Sequence, residues 1–482
     1  MKKLVYIILL TLSYCTTYCQ KHPEAKRANH WYFGNGAGLD FSSGIPVAVS
    51  NGQLDSWESC ASISDTSGNL LFYTDGDTIW DRNHNVMPNG TGLFGRCNPF
   101  GPNNSATQGV IIIPQPKSDS IFYMFTVDCA ENLGARGMNY SVVDLSLNGG
   151  FGDVFLKNQL LFAPSTEGMA ATMNCARDSI WVIGHEYGTD AFYTYLITEN
   201  GLNTIPVTSN VGTVITGNAA LPICISPNGK KISHATELLE FNFSNGQVNN
   251  EIFVPVIAGY GTSFSSNSKK LYSSISGNLI LQIDATLNNT TDILNSIQYI
   301  YQGLSNDEYF GLQLANDNKI YVAPQDTTKI TTIDFPNNNG AAVGFNPYSV
   351  DLNGKKCQFT FPSFVESYFT NNYNNDCHSI NESSTKDTVF VPSIFTPNND
   401  GYNDVFNIKI SGYKNIDWKI YNRWGVLVKS GKLKVENDGY IDLWDGRTNA
   451  AQKVTDGTYY YIVNLIKNKA TITKKGYIQL FN

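Results

Sequence analysis

DTSGNLLFY, Asp65 to Tyr73, decides how the chain is read. A polar turn of Asp, Ser, Gly and Asn leads straight into an apolar and aromatic run that suits a short pleated strand. The same unit recurs as PKSDSIFYMF (Pro116 to Phe125), ARDSIWVIG (Ala176 to Gly184), SPNGKKISHA (Ser226 to Ala235), SSNSKKLYSS (Ser265 to Ser274) and ANDNKIYVAP (Ala315 to Pro324). Aligned on the first strand residue, Leu70, Ile121, Ile180, Ile232, Leu271 and Ile320 stand 51, 59, 52, 39 and 49 residues apart.

A second strand is expected after each turn strand: Thr78 to Trp80, Tyr140 to Val143, Phe192 to Ile197, Leu238 to Phe243, Leu279 to Ile283 and Ile330 to Phe335. Repeats of this length, each holding several short strands, have the size of propeller blades, which bury both faces against their neighbours. A seventh unit is split between the ends of the region. HWYFG around Trp31 and GLDF (Gly38 to Phe41) open it, and QFTFPSFVESYF (Gln358 to Phe369) returns as its inner strand. Joining the two ends in one blade removes free sheet edges. The expectation is an all-β protein with a seven-bladed β-propeller over residues 20–370; a stacked series of β-sandwiches is the competing arrangement of the same strands.

Composition agrees with this reading. Apolar residues are 42% and charged residues 15% of the 482, with 27 Tyr and 26 Phe, a globular and β-leaning balance. Residues 1–19 read as an export leader: Lys2 and Lys3, an apolar run from Leu4 to Leu12, and Thr17 and Cys19 at the −3 and −1 positions of a cut before Gln20. That run is too short for a permanent span, so a soluble or surface-attached mature protein with no transmembrane segment is expected. From residue 388 onward, 13 Lys plus Arg face 8 Asp plus Glu, a net +5; the body before it, without the leader, carries about −15. An acidic body argues against a nucleic-acid partner. Seven cysteines from Cys60 to Cys377 contain no CxxC pair, which disfavours a zinc knuckle, and their odd number leaves at least one thiol free or buried.

Residues 371–387, polar and poor in apolar side chains, read as a linker. Residues 388–482 alternate strongly in WKIYNRWGVLV (Trp418 to Val428), GTYYYIVNLI (Gly457 to Ile466) and KGYIQLF (Lys475 to Phe481), which predicts a small immunoglobulin-like β-sandwich of roughly seven strands.

Five blocks in that last segment, FTPNNDGYNDVF (Phe395 to Phe406), IYNRWGVLV (Ile420 to Val428), LWDGR (Leu443 to Arg447), DGTYYYIV (Asp456 to Val463) and the terminal KGYIQLF, resemble the gliding-motility-associated C-terminal domain of Bacteroidota, the type B sorting domain of type IX secretion. The resemblance implies export across the inner membrane, recognition of the folded domain by the type IX translocon, and delivery to the cell surface or the medium. It assigns the sorting motif to Phe395, Thr396, Pro397, Asn398, Asp400, Gly401, Asn403, Asp404 and Phe406, to Tyr421, Asn422, Arg423, Trp424 and Gly425, to Trp444, Asp445 and Gly446, and to Gly457, Tyr459 and Tyr460. The stretches YTDGDTIWDRNHNVMPNG (Tyr73 to Gly90), ATQGVIIIPQP (Ala106 to Pro116) and NYSVVDLSLNGGFGDV (Asn139 to Val154) are similar to the propeller-like region that precedes this domain in large Bacteroidota surface proteins.

Candidate chemistry is thin. Asn398, Asp400, Asn403 and Asp404 offer hard oxygens around a glycine, a calcium reading that competes with a turn satisfying its own amides. His84, His185 and His234 can form a metal or acid–base site only where their strands converge on a propeller axis. Asp75 with Asp77, and Asp307 with Glu308, have the residue types of a glycosidase pair but the spacing of turns and caps. Trp57, Tyr187 and Tyr309 are candidates to stack on a sugar or grip a protein, set against a place in the core. No nucleophile elbow, phosphate loop or dinucleotide fingerprint occurs. The expected function is therefore a surface binding or adhesion platform for an extracellular protein or glycan; a hydrolase or lyase acting on polysaccharide or peptide at the channel is the alternative.

Overall fold

The computed structural model describes residues 23–96, 106–303, 308–370, 389–390, 394–398, 404–410, 413–435, 439–467 and 470–481. The expected leader, the linker 371–387, and Asp307, Asp400, Gly401 and Asn403 lie outside the described residues. The chain divides into two compact units after Cys377.

In the first unit every repeated turn strand becomes the second strand of its own sheet: Leu70–Thr74, Ile121–Val127, Ile180–Glu186, Lys231–His234, Lys270–Ile275 and Ile320–Pro324. The predicted follower is the third strand each time, for example Ala191–Thr198 and Leu279–Asp284. Among the described residues, seven antiparallel sheets follow one another along the chain: residues 30–49, 61–81, 110–162, 165–210, 223–253, 261–302 and 309–351, here blades one to seven.

Sequence reading passed over the first strand of blades two to seven: Ala61–Ser64, Val110–Pro114, Ser165–Met173, Ile223–Ile225, Gly261–Phe264 and Tyr309–Leu314. Buried along almost their whole length, these strands lack the alternation that marks a half-exposed strand. From blade two to blade seven each lies against the one that follows, so together they line the axis of a propeller.

Apolar cores fill the seams between blades. Ile63 and Phe72 of blade two meet Ile112, Phe122 and Met124 of blade three. Ile111 and Phe125 meet Met169, Val182 and Tyr195 of blade four, and Ala170, Trp181 and Ile183 meet Ile225, Ile232 and Phe241 of blade five. A sheet that buries both faces against different neighbours belongs to a ring, whereas stacked sandwiches would pair the sheets two by two.

Both chain ends of the unit close that ring. Trp31, fully buried in blade one, packs against Tyr321 of blade seven and against Phe361 and Phe364, with ring centroids 5.4 to 5.7 Å apart. The returning segment runs between its neighbours: Gly311 N donates to Phe359 O at 2.7 Å, and Phe359 N donates to Trp57 O at 2.8 Å. It is extended but forms no regular ladder, because Pro362 brings no amide hydrogen to the middle of the run. Beyond it Val365 bridges Ala171, and the 3-10 turn Glu366–Phe369 docks on blade four, where Met173 N donates to Ser367 Oγ at 2.9 Å. Tyr368 is buried in the seam between blades three and four.

Close approach of the axial strands depends on missing side chains. A Cβ on Gly311 would lie 2.7 Å from Phe359 O, and one on Gly168 would lie 2.6 Å from Leu221 O. Overpacking against backbone costs about 1–3 kcal/mol, so Gly311→Ala is expected to lower the thermal midpoint and expose the returning segment to limited proteolysis. An unchanged midpoint and cleavage pattern would show that this segment does not hold the ring.

The odd-cysteine expectation is met: Cys60, Cys224 and Cys357 are buried free thiols, while Cys129 and Cys175 are disulfide-bonded. No helix among the described residues is long and apolar enough to cross a membrane.

In the second unit a three-stranded sheet, Val389–Phe390, Phe406–Ile410 and Gly439–Trp444, faces a five-stranded one in the order Ile394–Phe395, Ala470–Leu480, Gly457–Lys467, Asn415–Asn422 and Leu427–Lys434. Inward positions Phe406, Ile408, Ile416, Ile420, Val463 and Ile478 form its core, as the period-two pattern requires.

Candidate functional site

All axial strands run in one direction, so their first residues gather at one mouth of the channel. Four rings meet there: Trp57 at the entry to blade two, Tyr260 of blade six, Phe310 of blade seven and Phe359 of the returning segment. Centroids are 5.3 Å apart for Trp57 and Phe359, 4.6 Å for Phe310 and Phe359, and 5.4 Å for Tyr260 and Phe310. All four are half-buried. Beside them a polar chain crosses the axis. The Tyr260 hydroxyl donates to Glu58 Oε1, and Glu167 Oε2 accepts from both Thr107 N (2.8 Å) and Thr107 Oγ1 (2.7 Å) while its Oε1 takes Ala130 N at 2.6 Å. Burial raises the Glu167 carboxyl above the usual range, against the hydrogen bonds from Thr107 and Ala130. Burial also pushes the Tyr260 phenol well up, with the Glu58 charge adding to it.

Within the channel Glu366 reaches between blades, its Oε1 accepting Gln313 Nε2 of blade seven at 3.2 Å. Burial carries its carboxyl to about 8, opposed by the Gln313 bond. This far end is occupied by the turn Glu366–Phe369, the chain's own segment.

Of the three histidines, His185 and His234 come together across the seam of blades four and five, ring centroids 4.9 Å apart and each 1% exposed. Burial holds both neutral, His185 at about 3 with the neighbouring ring contributing, and His234 at about 4. His84 stands apart, packed edge-on to Tyr32 with Nδ1 3.1 Å from Tyr73 Oη. Asp75 and Asp77 do serve a turn: Asp75 Oδ1 accepts Asp77 N and Thr78 N, and Oδ2 pairs with Arg96 at 2.7 Å. Among the aromatic candidates Trp57 reaches the mouth, Tyr187 hydrogen-bonds Thr216 O, and Tyr309 is fully buried in the seam core.

Glu58, Thr107, Glu167 and Tyr260 were not singled out from sequence. For Glu167 and Tyr260 the signal is a large side chain followed by glycine, which opens four of the axial strands: Gln108-Gly109, Glu167-Gly168, Tyr260-Gly261 and Phe310-Gly311; Glu58 and Thr107 carry no such mark. Glycine lets the axial backbones touch, and the residue before it stands at the mouth.

The motif residues of the second unit divide by burial. Phe395, Phe406 and Trp444 pack together, with Phe395 and Trp444 centroids 5.2 Å apart, and Trp444 Nε1 donates to Arg447 O at 2.7 Å. Tyr459 packs edge-on to Trp444 and its hydroxyl donates to Thr455 O. Asn422 Oδ1 accepts Trp424 N and Val426 N, shaping a tight turn that Gly425 completes at φ +76°. Trp424, by contrast, is 81% exposed. Tyr421, Tyr460 and Tyr477 stand in cross-strand register on the outer sheet face, lining a shallow groove of about 540 Å³ with Arg423 and Lys475.

Residues 389–480 match the family model of the CHU_C Type IX secretion signal domain. The second unit is a type IX secretion signal domain. It marks the chain for export to the cell surface or for secretion. No curated protein matches the chain.

Among solved structures, similarity extends to virginiamycin B lyase from Staphylococcus aureus (11% identity, TM-score 0.33, 57% of this chain and 77% of that one) and to the Dos1 propeller (13%, 0.37, 60% and 70%). PorZ, a surface component of the type IX secretion system of Porphyromonas gingivalis, aligns over 94% of this chain and 74% of its own at 10% identity and TM-score 0.30. The signal domain thus fixes the route, and the propeller is its cargo.

Proposed function

We propose that the cargo is a surface binding platform whose ligand site is the propeller mouth, and that the signal domain meets the translocon through the outer face around Trp424, Arg423 and Tyr460. One observation carries the first part: four half-buried rings and a carboxylate converge at the mouth, while the chain itself occupies the other end of the channel. For the second part, the motif residues with a packing role are buried, and Trp424 is left in solvent. An exposed tryptophan that stabilises nothing nearby suits recognition.

The hydrolase or lyase alternative would draw on Glu58 and Glu167, the carboxylates nearest Tyr260. Glu167 has both oxygens engaged by Thr107 and Ala130, an anchoring role between blades rather than that of a mobile proton donor. The experiment is a panel of glycans and peptides offered to the purified mature protein. Binding without turnover is the expected result; turnover abolished by Glu167→Gln would establish the enzyme instead.

A further inference from the structure

The geometry points to an alkylammonium group as the ligand of the propeller mouth. This rests on the binding reading above and narrows it to one chemistry.

The rings do not form one flat platform. Phe310 stands at 70° to Phe359 and Tyr260 at 81° to Phe310, while Trp57 lies within 32° of Phe359. A sugar ring prefers a single broad face to stack on, whereas a cation gains from several ring faces at once, each attracting it through the negative centre of the ring. Glu58 follows Trp57 directly in sequence and is fixed on two sides, by the Tyr260 hydroxyl at its carboxylate and by the Thr360 hydroxyl at its backbone carbonyl. The mouth therefore offers a held carboxylate among aromatic walls, and the charge of a second carboxylate, Glu167, is felt at Tyr260.

Charge supports the same sign of ligand. The propeller, residues 20–370, carries −13 by residue count, so its field draws cations toward the mouth. A compact ammonium on an alkyl stem suits the arrangement: the head meets Glu58 and the ring faces, and the stem lies along Phe310 and Phe359.

The test uses the full mature protein, titrated calorimetrically with spermidine and with Nα-acetyl-lysine methylamide. Their N-acetylated neutral counterparts and a panel of neutral oligosaccharides are run alongside. Both ammonium probes are expected to bind, to weaken as salt rises, and to lose at least about tenfold in affinity in Glu58→Gln, the loss of a desolvated charge contact. Phe310→Leu should weaken them too while leaving the thermal midpoint near that of the wild type, which separates lost binding from a folding failure. Equal affinity for acetylated and free amines, or no effect of Glu58→Gln, overturns the ammonium assignment. Binding of neutral oligosaccharides alone, lost in Phe310→Leu, overturns it but keeps the mouth as a binding site. Binding of no probe and no glycan overturns both.

Discussion

A chain ending before residue 388 is expected to fold normally and to remain in the periplasm. The contacts that close the propeller come from residues up to Phe369, and the signal domain has a core of its own. Surface labelling of the truncated protein should fall to the level of cells without the gene, while its thermal midpoint stays that of the propeller in the full chain. Trp424→Ala should produce most of the same export loss with no change in stability, because the side chain is almost entirely in solvent. Trp444→Ala should also block export, but by unfolding the domain: it empties the space between Phe395 and Tyr459 and leaves the Arg447 carbonyl without its donor, a loss of about 3–5 kcal/mol. Circular dichroism of the isolated variants separates the two causes. Normal surface delivery of the Trp424 variant would move the recognition face elsewhere on the domain.

The second large effect is on stability against pH. His185 and His234 have folded values of about 3 and about 4, below the ordinary histidine value of 6.5. A depressed histidine contributes stability that is present above its unfolded value and is lost as pH falls, because the unfolded chain then takes up protons that the native seam refuses. The loss runs at about 1.4 kcal/mol per pH unit for each ring, so about 4 kcal/mol for the pair is gone by pH 5. Glu366 acts in the opposite sense. Its folded value of about 8 means that the native state holds a proton the unfolded chain releases, and its contribution fades as pH rises from about 4.3 toward 8. Because Glu366 keeps some contact with solvent, screening narrows the pH window of this loss rather than its slope. Stability should therefore be highest near neutrality. Comparing the wild type with His185→Leu/His234→Leu in urea at several pH values isolates the histidine part, since the carboxylates are common to both. Parallel curves from pH 7 to pH 5 would contradict buried neutral rings.

Much of this architecture was legible in the sequence, and the gaps have physical causes. Turn strands announce themselves because a polar hairpin precedes an apolar run, and the blocks from Phe395 to Phe481 combine core periodicity with turn residues. The axial strands were missed because they are buried on both sides and show no alternation. The closing segment was placed correctly at the seam of the two ends, but its ladder was overestimated, since Pro362 interrupts it. Pairing of His185 with His234 follows from two second strands ending at the same face of adjacent blades, and His84 is excluded because it lies after the third strand of blade two. Tyr309 shows the limit of composition: an aromatic at the start of an axial strand can point into a seam, while Phe310 beside it points to the mouth.

The central claim is an address carried wholly by the second unit on a self-contained propeller. Its most direct test places residues 388–482 behind a reporter domain that bears an export leader and is otherwise held in the periplasm, in a strain with an active type IX system. Surface exposure of the reporter, lost again with Trp424→Ala, is the predicted result. A reporter that folds with the appended domain yet stays in the periplasm would contradict it, and would assign the address to the propeller.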